Sequence, residues 1–573
     1  MSRWCAFLTT ADPADQLRSI GAATVAAADT YGLGLLAGPG AATGPHHLEH
    51  FTAVGEVTLY NRARLRTLLG ADAPAADCPD AVLLLHCYAR LGTAGLAAAD
   101  GMFALAISDG RDLLLIRDHV GARTLFVARA GATWAAATSL RALRRWPRLR
   151  TGLHLPAVRS FLTFAYLPDR ATLLRGVHEV LPGRCVRLRP DGTSTEETFW
   201  EPAEADAPGS AAEHALRLRE LLEEATVRRL PAGPAGVLLS GGIDSSLVTA
   251  LATKLHDHRV HTYSIAFDGT TPNELAYSGL VATHCHTDHR VLTVSGDAVA
   301  ARLAQTVALL DCPVGDPLTV PNLMLAQAAA DDGLDTILNG EGGDPVFGGP
   351  KNLPMLIFEL FRDDPAPTAR ARAYLDSYRK CLDDVPVLLS AAALAELEHA
   401  PPLTDVLLPY LQPGRMKTLL NQLLHTNLRT KGAHHILPKV ERLTAAAGVQ
   451  GRSPLFDAAM IDYAFSIPPR FKLAGTEEKW ILKESVRDLL PSTIVDRPKS
   501  GMRVPVQQWL TGPLRDLSHD LLLGPSARTR DIFRADTLRA WLRGDGTLLP
   551  RQGGKVWLVL TLEMWLRAYD VQP

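Results

Sequence analysis

The chain has 573 residues, of which 47% are hydrophobic and 21% charged, with a formal net charge of −2. That length exceeds what a single hydrophobic core organises, so two domains are expected, and the composition is that of a soluble globular protein rich in Ala, Leu and Arg. The near-neutral balance gives no reason to expect nucleic acid or an anionic membrane surface as a partner.

The first residues, Met1-Ser2-Arg3-Trp4-Cys5-Ala6-Phe7, carry no signal-peptide core, and no run of eighteen apolar residues follows, so a cytoplasmic, bacterial-type enzyme is expected. Short segments with alternating apolar residues predict strands over Gly55–Tyr60, Met102–Ser108, Asp112–Arg117, Thr124–Arg129 and Thr133–Ala137. His46-His47-Leu48-Glu49-His50 reads as an exposed loop, and the basic run Arg141–Arg150 as a solvated helix end. The segment 201–212, rich in Pro, Ala and acid, reads as a linker between a domain over 1–200 and another over 213–573. Beyond it the pattern alternates: a helix over Ala212–Arg229, a strand over Gly236–Leu239, a helix over Ser245–Leu255, then strands over His261–Phe267, Asp288–Leu292 and Asp335–Leu338. Such alternation predicts a parallel sheet with ligands at the C-terminal ends of its strands. After about residue 355 the pattern is largely helical, and there is no internal repeat. The seven cysteines, Cys5, Cys78, Cys87, Cys185, Cys285, Cys312 and Cys381, form no C-x-x-C pair, which points to buried thiols rather than disulfides or a zinc knuckle. His284-Cys285-His286-Thr287-Asp288-His289 has the residue types of a zinc site, but metal binding is not expected there.

The chemistry is concentrated in two loops. Leu239-Ser240-Gly241-Gly242-Ile243-Asp244-Ser245-Ser246 follows an apolar strand and opens a helix. Its glycines allow close backbone approach to an anion, and the free N–H groups of the helix start point at it. Serine hydroxyls at Ser240, Ser245 and Ser246 add donors. The lysine of a γ-phosphate-gripping loop is absent, and Asp244 stands inside the loop instead, which suits a metal ligand. The second loop, Asn339-Gly340-Glu341-Gly342-Gly343-Asp344-Pro345-Val346-Phe347-Gly348-Gly349, also follows a short strand.

Ser240–Ser246 resembles the pyrophosphate loop of the ATP pyrophosphatases, and Asn339–Gly349 the second signature of the asparagine synthetase family. The later segments Leu437–Arg442, Arg452–Asp457, Lys479–Glu484 and Arg497–Gly501 are similar to that family's C-terminal motifs, in the same order. Asp100–Ala106, Arg117–Arg123 and Ala137–Leu143 resemble its glutaminase domain. The resemblance implies an α+β N-terminal αββα sandwich of the N-terminal-nucleophile type, followed by an α/β ATP-pyrophosphatase domain with a parallel sheet and a helical C-terminal region. It implies ATP and Mg2+ as cofactors, and formation of an acyl-adenylate that is passed to a nitrogen nucleophile. By position, Asp244 and Asp344 would hold the metal. Lys499 would stabilise the α-phosphate and the later oxyanion, and Glu341 would take a proton from the attacking nitrogen. Leu239, Ile265, Asn339 and Gly340 would contact adenine and ribose, mostly through backbone atoms.

The resemblance also has gaps. Glutamine-dependent members carry a cysteine as residue 2, where this chain has Ser2, with Cys5 the nearest thiol. In place of the glutamine-holding motifs stand Asp29-Thr30-Tyr31-Gly32 and Val54-Gly55-Glu56. The expectation is a retained glutaminase fold without activity, and a ligase that joins a small-molecule or peptide carboxylate to ammonia or an amine. A separate ammonia source is one expected partner, and a homodimer is the family's habit. The alternatives are an intramolecular cyclase of the lasso-peptide or β-lactam type, an inactive nucleotide-binding scaffold, and a glutamine-hydrolysing enzyme; the presence of Glu341 favours intermolecular amidation.

Overall fold

The structure is a computed structural model that describes all residues except 1–2, 10–11, 29, 37–44, 269–273, 363, 365, 379, 499–500, 545–553 and 573. It divides into two compact units, the first made of residues 1–154 with 169–201, the second of 155–168 with 202–573.

The first unit holds two six-stranded antiparallel sheets. One comprises β1 (Arg3–Leu8), β2 (Ala22–Ala27), β3 (Tyr31–Leu36), β8 (Phe126–Ala130), β9 (Thr133–Ala137) and β10 (Val177–Glu179), in the order β10-β8-β9-β1-β3-β2. The other comprises β4 (His46–Leu48), β5 (Phe51–Leu59), β6 (Gly101–Ser108), β7 (Leu113–Arg117), β11 (Arg184–Leu188) and β12 (Ser194–Thr198), in the order β12-β11-β7-β6-β5-β4. Because strand side chains alternate between faces, Trp4, Ala6 and Leu8 of β1 meet Ala104 and Ala106 of β6 and Leu113 and Leu115 of β7 in one core. Trp4 satisfies its indole within that core by donating Nε1–H to the Ala104 carbonyl at 3.0 Å. The helix Pro13–Ser19 packs on β1–β3, and the helix Asp80–Leu91 on β4 and β5. His46–Leu48, expected as a loop, is the edge strand β4, paired antiparallel with Phe51–Ala53; two histidines and a Gly/Pro-rich approach hid a segment only three residues long.

The second unit is built on a parallel sheet of five strands, β13 (Gly236–Leu238), β14 (His261–Phe267), β15 (Asp288–Val294), β16 (Thr336–Leu338) and β17 (Gln450–Arg452), ordered β15-β14-β13-β16-β17. The chain builds outward from β13 through β14 to β15, then returns to lay β16 on the other side of β13. The helix Ala211–Arg229 starts with a capping box in which Ser210 and Glu213 satisfy each other's backbone N–H. Just before it, part of the expected linker is tied down: Ala205 and Ala207 N–H donate to Phe465 and Ser466 carbonyls at 3.3 and 3.0 Å, and the Glu204 carboxylate accepts from Thr418 N–H at 2.8 Å. Towards the C-terminus the helices Leu419–Asn427 and Leu437–Ala446 are joined by a nine-residue π-helical stretch, Leu428–Ile436, which is almost wholly buried. A π-helical insertion re-aims side chains relative to an α-helix and often marks a functional site.

Candidate active site

Strand order decides where the two loops meet. β13 and β16 are neighbours at the point where the order reverses, so the loops leaving their C-terminal ends face one crevice. Two glycines make the approach possible. A methyl group at Gly340 would overlap the backbone of Asp244 and Ser245, and one at Gly343 would overlap the Asp244 carboxylate. Gly241 has φ +79°, a left-handed conformation, and a Cβ there would lie 2.6 Å from Ser278 N.

The phosphate loop is internally braced. Ser245 Oγ accepts from Ser240 N–H at 3.1 Å and lies 3.0 Å from Ser240 Oγ, while Leu239 N–H donates to the Tyr263 carbonyl at 2.9 Å. The helix Ile243–Leu255 starts at Gly242 with no side-chain cap, so its first-turn N–H groups stay available to an anion. Ser246 Oγ is fully buried in that turn with no hydrogen-bond partner among the described residues. A buried hydroxyl left in this way costs about 1–3 kcal/mol and fits a site completed by a ligand.

Asp244 and Asp344 come from different loops and converge on one group that the sequence reading passed over. Lys479 Nζ donates to Asp244 Oδ2 and to Asp344 Oδ1, both at 2.5 Å, and Lys479 is only 2% exposed. Its backbone has φ +60°, the left-handed region, where it caps the helix Trp480–Val486. A non-glycine residue in that region carries a conformational cost that the two ion pairs offset. Two carboxylates around one ammonium leave a net negative charge, and hard oxygen donors arranged in that way also fit a magnesium ion.

Glu341 is half-buried, and its N–H donates to Asn339 Oδ1 at 3.0 Å. Asn339 serves as a brace: Oδ1 also accepts from Ser453 Oγ at 2.9 Å, and Nδ2 donates to the Arg452 carbonyl at 3.2 Å. Its side chain thus shapes the loop. Glu341 also bears on a second lysine. Lys439 is buried and donates to Asp316 Oδ2 at 2.5 Å; although burial opposes its charge, Asp316 and Glu341 together hold its pKa above the ordinary value. Lys439 and Lys479 both stand inside segments recognised as motifs, Leu437–Arg442 and Lys479–Glu484, so the signal was a lysine within an otherwise helix-forming run.

Lys499 lies outside the described residues. Its neighbour Arg497 is placed: it donates to the Gly241 carbonyl at 3.1 Å, pairs with Glu274, and lays its guanidinium 3.7 Å from the Tyr277 ring centroid. Arg497 is therefore anchored beside the phosphate loop. Leu239 and Ile265 are buried, at 2% and 7% exposure, on the adjacent strands' C-terminal side. The histidines near Cys285 have ordinary partners, His284 Nε2 lying 3.1 Å from the Leu489 carbonyl and His289 Nδ1 2.9 Å from Thr262 Oγ1.

In the first unit, Ser2 and Asp29 lie outside the described residues. Cys5 is fully buried in β1 opposite Gly34 and Ala137; its Sγ donates to the Gly34 carbonyl at 3.7 Å, and burial pushes its thiol pKa far up. Such a thiol carries almost no thiolate. Glu56 is held by Arg123 at 3.1 Å.

Residues 217–567 match the asparagine synthase family, and residues 46–200 match the glutamine amidotransferase domain. Asparagine synthetase (glutamine-hydrolysing) 1 of Bacillus subtilis is 23% identical over 537 residues, covering 88% of this chain and 84% of that one. The carboxyethyl-arginine β-lactam synthase of Streptomyces clavuligerus is 26% identical over 458 residues, covering 79% and 73%. An amidase of Penicillium rubens is 24% identical over 540 residues, covering 81% and 78%. The chain therefore belongs to the asparagine synthase family and is an ATP-dependent carbon–nitrogen ligase.

Proposed function

We propose that the protein adenylates a carboxylate and transfers the acyl group to ammonia or an amine without hydrolysing glutamine itself. The observation that carries this reading is the convergence of Asp244 and Asp344, from two loops, on Lys479. The Gly241–Gly242 backbone and the first turn of the helix after it bind the β- and γ-phosphates. Asp244 and Asp344 would hold Mg2+, which when bound neutralises phosphate charge and makes the α-phosphorus accessible to an anionic carboxylate. The carboxylate oxygen then attacks the α-phosphorus and pyrophosphate leaves. The nitrogen attacks the acyl carbon, Glu341 accepts the proton it sheds, and AMP leaves with the electron pair of the broken C–O bond. Lys499 supplies positive charge to the pentacoordinate phosphate and the tetrahedral oxyanion.

In the same reading the first unit is a glutaminase of the N-terminal-nucleophile type in fold only. Three observations support it: Ser2 stands where the nucleophilic cysteine is required, Cys5 is buried, and Glu56 is engaged by Arg123. A second reading, an intramolecular amide cyclase, is favoured by the similarity to the β-lactam synthase, which extends over 79% of the chain.

Pyrophosphate release by the purified protein with ATP and magnesium, across acids offered with and without ammonium or glutamine, separates these readings. Release that requires ammonium or a free amine supports the first. Release from a substrate carrying its own amine, indifferent to both nitrogen sources, replaces it with the second, and glutamate formed from glutamine overturns the loss of glutaminase activity.

A further inference from the structure

In the second unit the helices Leu155–Phe164 and Pro367–Asp376 and the short helical turns Val385–Leu388 and Leu403–Val406 border a cleft of about 510 Å³. Its floor is apolar. Leu375 is buried in the core that includes Tyr374 and Leu407, and Leu382 and Leu403 pack on that core while lining the cleft. Set into the same wall are two arginines from different helices, Arg159 and Arg372, and two threonines, Thr368 and Thr404. Arg159 is half-buried; it donates through Nη2 to the Pro401 carbonyl, and its Nε is enclosed with no hydrogen-bond partner among the described residues. Burial lowers its pKa, and no carboxylate counters that effect. The acid lining the cleft, Asp405, is exposed and makes no ion pair with either arginine among the described residues.

A guanidinium N–H shut away from water without an acceptor destabilises the empty protein, and an anion delivered to it removes that penalty. Apolar walls with a few convergent polar groups, in a volume of this order, are the make-up of small-ligand sites. Arginine donates and never accepts, so the polar end of the ligand carries acceptors and negative charge while the rest of it is apolar. One enclosed Nε–H edge matches a planar, singly charged carboxylate; a phosphoryl dianion would leave oxygens against the apolar wall. None of the residues lining the cleft belongs to a strand, so there is no sheet edge on which an extended peptide could pair, and the occupant is a free small molecule. Nor does any of them lie in the two glycine-rich loops or in the segments carrying Lys479 and Arg497.

We propose that this cleft is a second ligand site, separate from the reaction centre, that binds a small monocarboxylate with an apolar body. The carboxylate is held by Arg159 and Arg372, and the body lies on Leu375, Leu382 and Leu403. Arg159 sets the requirement for charge, because its Nε is enclosed whereas Arg372 is exposed. The proposal does not depend on the ligase reading, since no residue of the reaction centre takes part.

Calorimetric titration of the full-length protein tests the site, with phenylacetate, phenylacetamide and acetate as probes. Phenylacetate should bind saturably, about tenfold or more tighter than the amide, the worth of one charge-assisted contact. It should likewise exceed acetate, which has the charge without the apolar body. In Arg159→Met the preference for acid over amide disappears. Arg372→Met alters an exposed side chain, so it keeps the test available should Arg159→Met fail to accumulate, and it should weaken phenylacetate by about threefold because that charge is solvated. Saturating ATP with magnesium should leave phenylacetate affinity unchanged in the parent chain. Absence of saturable binding, equal affinity for acid and amide, parent-like affinity in both variants, or displacement by ATP with magnesium would each overturn the proposal.

Discussion

Each unit sets carboxylates at the centre of a recognised motif, and they are used in opposite ways. In the first unit Asp118 is fully buried and turns inward: its oxygens accept N–H groups of Val120, Gly121, Ala122 and Arg123 at 2.8 to 3.2 Å. Beside it Arg117, also fully buried, donates to three carbonyls, those of Arg123, Val180 and Gly121. Asp118 thus binds backbone N–H groups of its own turn and holds a loop, while Arg117 also pairs with Glu179 at 2.9 Å. In the second unit Asp244 and Asp344 meet across two loops on a single cation, Lys479. A carboxylate satisfied by its own turn is architecture. Two brought from separate loops to one charge form a site that a substrate complex can reorganise.

Breaking each arrangement should therefore damage different properties. The largest effect is expected for Asp118→Ala, which orphans several buried N–H groups at about 1–3 kcal/mol each and should abolish accumulation of folded protein, read by soluble yield and thermal melting. Glu341→Gln should fold normally and lower amide formation by about 10²–10⁴-fold, the usual worth of a positioned base, while ATP–pyrophosphate exchange persists; an equal loss of exchange would place Glu341 in adenylation. Asp344→Asn should keep its melting temperature within a few degrees and lose about 10²–10³-fold in pyrophosphate release. A variant of Asp344 that unfolds the protein would erase the distinction between the two carboxylate types. Lys479→Met should lower pyrophosphate release by about tenfold to a hundredfold, the range of one or two charge-assisted hydrogen bonds, without raising the magnesium concentration required, since it leaves both aspartates in place.

How much of this was legible in the sequence depended on whether a residue's role is local. The strand Thr133–Ala137, the alternation from Ala211 to Val294 and the two glycine-rich loops follow from short-range patterns, and the structure places them close to where periodicity puts them. Lys479 and Lys439 were not singled out, because their roles come from partners 135 to 235 residues away in Lys479's case and 123 in that of Lys439. The left-handed backbone at Lys479 has no local signature either, since such a conformation normally selects glycine. The edge strand β4 failed for a different reason: it has three residues, two of them histidine, and pairing with β5 rather than intrinsic propensity makes it a strand.

The smallest expected effect concerns a lysine that is buried for structure alone. Lys472 is 0% exposed; its Nζ donates to Asn421 Oδ1 at 2.7 Å and lies 4.7 Å from the Phe465 ring centroid. Burial lowers its pKa from 10.5 to about 7. Between those values the unfolded chain binds more protons than the folded one, so unfolding free energy rises with pH across that window. Below about pH 7 the group is charged in both states and the folded state carries the full cost of its burial; as pH rises towards 10.5 that cost is relieved. Lys472→Met should therefore stabilise the protein most near neutral pH and flatten the rise in melting temperature between pH 7 and 10, while leaving pyrophosphate release unchanged. A melting profile identical to that of the parent chain would mean that Lys472 keeps its proton on folding, through the Asn421 contact, and that enclosure of an ammonium in this unit does not by itself imply strain.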